Sequence, residues 1–68
     1  MNVNEVRYPD VQVQLTGTDG NAFAILGKVK KAISESHGIA AANTYMDEAT
    51  AGDYDDLLRV TMQWVEVS

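Results

Sequence analysis

The sequence predicts a small, mostly helical α+β domain, with an N-terminal strand followed by three helices and a short C-terminal β-prone segment. Three observations carry that reading. "VQVQLT" alternates strictly between apolar and polar residues, which suits a strand buried on one face. Three later stretches space their apolar residues at three and four, which suits helices buried along one stripe. Glycines stand between these stretches, where the chain must turn.

Residues 1–9 show no period and read as an extended arm, with Pro9 pushing Tyr8 towards extended backbone. In the strand, Val11, Val13 and Leu15 share one face, and Gln12, Gln14 and Thr16 the other. "GTDGN" is a turn by composition. The first helix is expected over about residues 21–36. Ala22, Ile25, Leu26, Val29, Ala32 and Ile33 form its buried face, and Lys28, Lys30 and Lys31 its solvent side. Gly38 suits the left-handed position after its end. The second helix is expected over about 40–51, with Ala42, Tyr45, Met46 and Ala49 as its apolar stripe and Gly52 ending it. The third starts at Asp53, an N-cap with Asp56 three residues on. Tyr54, Leu57, Leu58, Thr61, Met62 and Val65 form its buried face. The final "WVEV" either ends that helix or makes a strand beside the first one. A lone strand cannot satisfy its own backbone groups, so it must pair with the C-terminal residues, the N-terminal arm or another subunit.

Sixty-eight residues make one small domain. A chain of this size buries only about 60% of the surface it exposes when unfolded, so it gains from a staple. With no cysteine, disulfides and thiolate metal sites are excluded; with one histidine, zinc spacings are absent. Association of copies is the staple that remains, and a homo-oligomer, dimer or tetramer, is expected. Ten acidic residues against five basic ones give a net charge of −5, a poor basis for non-specific nucleic-acid binding. No apolar run approaches the roughly 20 residues of a membrane span. The polar start "MNVNEVRYPD" lacks a signal-peptide core. A soluble, cytoplasmic protein with no membrane partner is expected.

Catalytic patterns are weak. His37 neighbours Ser36 at a helix end, which makes no triad, and reads as a solvated residue suited to the helix dipole. Asp47–Glu48 and Asp55–Asp56 are the paired carboxylates. The second pair reads as capping, with Asp55 four residues before Arg59 as a helix pair. No enzyme, cofactor or metal is expected. The stronger signal is "TGTDGNAFAILG", Thr16 to Gly27: two glycines before a helix start and a third inside the helix, where glycine costs about 1 kcal/mol relative to alanine. Glycines let backbone approach a ligand, and a helix N-terminus presents N–H donors to an anion. The stretch fits neither G-x-G-x-x-G nor the P-loop pattern. Taken locally it reads more readily as a capped strand-to-helix turn, with Asn21 or Asp19 as cap, and Gly27 shifts the balance towards a close approach. The candidate binding residues are Thr16, Gly17, Asp19, Gly20, Asn21, Phe23, Gly27 and Lys28, joined by Glu48, Arg59 and Trp64. Phe23 and Trp64 could stack on a base or meet another subunit. Gly27 is expected at a close approach of ligand, helix or subunit. The second helix also breaks local rules, with Asn43 and Thr44 in its interior and Asp47 and Glu48 near its negative end. Glu48 could accept N–H groups from a guanine edge or a lysine, or simply sit at a frayed helix end.

The segments "VQVQLTGTDGNAFAILGKVKKAI" and "EATAGDYDDLLRVTMQWVEV" resemble a widespread family of short proteins encoded by phages and bacteria. Its pattern is a strand ending in L-x-G-x-D-G-N-A-F, then I-L-G, then E-A-x-x-G-D-Y-D-x-L-L and a late tryptophan. Here these are Leu15, Gly17, Asp19–Phe23, Ile25–Gly27, Glu48–Ala49, Gly52–Asp55, Leu57–Leu58 and Trp64. Ala51 stands where the family has serine. The family is similar to phage anti-CBASS sponge proteins, small oligomers that sequester cyclic nucleotide immune signals such as 3′3′-cGAMP. That resemblance implies a non-catalytic phage immune-evasion protein that binds a cyclic dinucleotide as a homo-oligomer. The residues alone equally admit a structural or protein-interaction module whose acidic surface inhibits or adapts a basic host protein.

Overall fold

The computed structural model describes residues 6–15 and 20–68. Its order is β1 (Tyr8–Val13), α1 (Ala22–His37), α2 (Ile39–Ala49), α3 (Tyr54–Trp64) and β2 (Val65–Val67), a small α+β fold. The expected turn residues Thr16, Gly17 and Asp19 lie outside the described residues.

β1 begins earlier than the alternation suggests, because Tyr8, Pro9 and Asp10 join the strand instead of forming an arm. Proline is tolerated there because each strand of a two-stranded sheet has an open edge, where a missing N–H breaks no ladder bond. "VEV" is a strand, parallel to β1, with Gln12 opposite Glu66 and Val13 opposite Val67. Parallel strands need a long crossover, and here all three helices supply it. The pairing extends past both strand ends: Arg7 N–H donates to the Gln63 carbonyl, and Leu15 N–H to that of Ser68.

Val11 and Val13 turn inward, and the helices lay their stripes on that face. Trp64, Tyr45, Ile33, Val29, Val65 and Thr61 are fully buried. Each large apolar side chain taken out of water contributes roughly 1.5–3 kcal/mol. Tyr45 Oη and Thr61 Oγ1 bond at 2.6 Å in this core, so neither hydroxyl is left unsatisfied. Two positions on the expected buried face of α3 are instead exposed: Met62 at 57% and Tyr54 at 43%. α3 is packed on one side only, and these residues flank its stripe.

The connections follow local chemistry. Gly38 alone joins α1 to α2, with φ of 93°, a value L side chains rarely adopt; its ψ of 164° differs from the left-handed helical cap expected there. α2 ends at Ala49, two residues short of the expected boundary, where the Thr50 hydroxyl folds back onto the Met46 carbonyl. Asp53 caps α3, accepting from Asp56 N–H while the Asp56 carboxylate accepts from Asp53 N–H. Gly52 makes room for this reciprocal box, since a Cβ there would overlap the Asp56 side chain.

Candidate functional site

Two clusters of side chains stand out, at opposite roles. The first surrounds Trp64. It is 2% exposed, and its indole N–H donates to Glu48 Oε1 at 2.9 Å. Arg7 lies over its ring at 4.0 Å, and Tyr8 and Tyr45 meet it edge-on. Trp64 therefore has no face to stack on a base, and Glu48 is committed to the indole. Both expected ligand residues serve the core, which also explains a carboxylate near the negative end of α2. His37 is the exposed last residue of α1, as expected, and it also stacks on Tyr8 at 3.8 Å and bonds Asp10 at 3.0 Å, tying α1 to β1.

The second cluster is a cleft where the start of α1, the end of α2 and the start of α3 meet. Its volume is about 380 Å³, and Ala22, Leu26, Ala49 and Leu57 form apolar walls beneath Phe23 and Tyr54 at the rim. Phe23 is 83% exposed, the most exposed large apolar side chain among the described residues. Its placement follows from the cap. Asn21 Oδ1 accepts from Phe23 N–H at 2.8 Å and Ala24 N–H at 3.4 Å, starting the helix so that Phe23 falls at the edge of the buried stripe. Tyr54 Oη donates to the Gly20 carbonyl at 2.8 Å, which holds the start of α3 beside the start of α1.

The elements that meet at the cleft differ in charge along their length. The first turn of α1 holds no carboxylate, and Lys28, Lys30 and Lys31 follow further along that helix. α3 opens with Asp53, Asp55 and Asp56. The Asp56 carboxyl is held below its ordinary value by the Asp53 N–H it accepts and by Arg59. Arg59 pairs with Asp56 at 2.7 Å, not with Asp55 as its spacing suggests, because the capping box already turns Asp56 towards the helix surface. Lys28 reaches back to the Gln14 carbonyl at the end of β1.

Of the residues singled out from sequence, the structure gathers Gly20, Asn21, Phe23 and Gly27 at one end of α1. It places Lys28, Arg59, Glu48 and Trp64 in bonds of their own. Gly27 lies one turn beyond Phe23, and a Cβ there would meet nothing within 4 Å among the described residues. The close approach expected at Gly27 is therefore not made within this chain. Sequence reasoning missed Tyr54, Ala49 and Leu57 as site residues, because their helical spacing marks them as core. Their shared cleft depends on how three helix ends meet. Among the described residues, no group of His, Asp or Glu side chains could hold a metal ion, and no helix is long and apolar enough to cross a membrane. Compared with protein-family models, curated proteins and solved structures, the chain matches none.

Proposed function

We propose that this protein is a non-catalytic binding module that takes an apolar side chain of a basic protein segment into the cleft at Phe23. One observation carries the reading: an 83% exposed phenylalanine stands over an apolar cleft whose lining includes Asp53 at the start of α3. Covering one such ring removes about 150–250 Å² of surface from water, which makes it an anchor of the kind that dominates interfaces. A carboxylate at the rim adds selectivity for a cationic neighbour more than raw affinity.

Sequestration of a cyclic dinucleotide, as the family resemblance implies, is the second reading. The open Phe23 ring beside a first helical turn without carboxylates favours it. It ranks second because Asn21 already occupies the Phe23 and Ala24 N–H groups and Arg59 is bonded to Asp56. The aspartates of α3 would also repel a dianion.

Amide chemical-shift titration separates the two. A short peptide of alternating lysine and phenylalanine is expected to move the amides of Ala22, Leu26, Ala49 and Leu57, less so as salt rises. Movement of those amides by 3′3′-cGAMP and not by the peptide would replace the first reading with the second.

A further inference from the structure

We infer that the occupant of the cleft is a second copy of this chain, docked about a two-fold axis so that each Phe23 enters its partner's cleft. This rests on the reading of the cleft as a dock for an apolar side chain in a basic segment. α1 is itself such a segment: Phe23 projects from its first turn, and Lys28, Lys30 and Lys31 follow. Knob and hole lie side by side on one surface. That is the self-complementary arrangement a two-fold interface requires, since the same patch must serve both copies.

Charge and space agree with it. Phe23, Gly27 and Lys30 share one strip of α1, with Lys31 beside it. Two α1 helices crossing antiparallel at Phe23 and Gly27 would carry each copy's Lys30 and Lys31 about 11 Å past its own Phe23. That is where the partner's α3 begins, because the Tyr54–Gly20 bond holds the α3 start against the α1 start. The Lys31 ammonium makes no ion pair among the described residues, and neither does Asp55. Local opposition of lysines and aspartates lets two chains of net charge −5 associate. Gly27, with open space where a side chain would be, lets the two helix backbones approach. The site is incomplete in one copy alone: its aromatic anchor points outward.

Sedimentation equilibrium at micromolar concentration tests this. The parent is expected at twice its 7.4 kDa chain mass. Phe23→Asp is expected to sediment as a monomer with its helical circular dichroism unchanged, because Phe23 contributes little to the fold of one copy and a carboxylate suits the first turn of a helix. Lys31→Glu should weaken association by at least about tenfold, since it sets like charges against each other, and Lys31→Glu with Asp55→Lys should restore it. A monomeric parent, or a Phe23→Asp variant that stays dimeric, overturns the inference. If the parent is monomeric yet still binds the lysine–phenylalanine peptide at Ala22 and Leu57, the docking-site reading survives alone; if it binds neither, both fall.

Discussion

Replacing Gly27 with alanine is expected to stabilise the single chain by about 1 kcal/mol, and the size follows from its surroundings. Gly27 lies in the interior of α1, has no positive φ, and a Cβ there touches nothing among the described residues. The substitution adds no clash and loses no contact, so only the lower conformational entropy of the unfolded chain remains. In a domain of this size, 1 kcal/mol raises Tm by roughly 4–8 °C. Association would add its own stabilisation by mass action, so the measurement belongs in the Phe23→Asp background, by thermal unfolding. Gly27→Leu should gain nearly as much there, because leucine is a good helix former. In the parent background the same leucine should weaken the dimer, since it stands where two helices would approach to 8–10 Å. The two effects have opposite sign from one substitution. Lower melting of Gly27→Ala in the Phe23→Asp background would show that the space is not open. Undiminished association of Gly27→Leu would show that no backbone comes close.

The remaining expectations concern the core and the α3 cap. Tyr45→Phe and Thr61→Val should each cost about 1–3 kcal/mol in urea unfolding, because each strands a buried hydroxyl or its partner; the double variant should cost clearly less than their sum, and strict additivity would refute the coupling. Burial raises the Tyr45 pKa, only partly offset by the Thr61 bond, so its contribution is full below the ordinary value of 10.0 and falls as pH rises towards the folded value; Tyr45→Phe should lack that alkaline loss. The Asp56 pKa is lowered, so its contribution is present above the ordinary value of 3.8 and is lost as pH falls through the folded value. Asp56→Asn should therefore flatten the acid limb of a stability–pH profile, and an unchanged limb would refute the role of the cap.

The local devices were legible because both partners lie within one turn of sequence. Asp53 and Asp56 form their capping box, Asn21 caps α1, and Gly38 takes a positive φ, each as the residue types require. Alternation put Val11 and Val13 inside, and helical spacing put Ile25, Leu26, Val29 and Ile33 inside. The same reasoning failed where two local partners compete. Arg59 has Asp55 and Asp56 within reach, and only the geometry of the box decides that Asp56 receives it.

The site itself was half legible. Glycine and asparagine before an apolar helix drew attention to the start of α1, and Phe23 and Gly27 do face outward there. Glu48 and Trp64 were drawn to the same site by their chemistry, yet they bond each other across the 16 residues separating α2 from the end of α3.

By itself, then, the chain's sequence determined an α+β order, the helix starts, most of the buried stripes and the lack of cysteine chemistry, because these depend on neighbours one turn away. Tertiary structure alone decided that β2 runs parallel to β1, that His37 lies on Tyr8 and Asp10, that Trp64 is sealed under Arg7, and that Phe23 is left over a cleft with no cover. Those outcomes depend on which distant surfaces meet, and the α1–α3 junction that makes the cleft joins the buried Leu26 and Leu57 and is bridged by the bond from Tyr54 to the Gly20 carbonyl, 34 residues away.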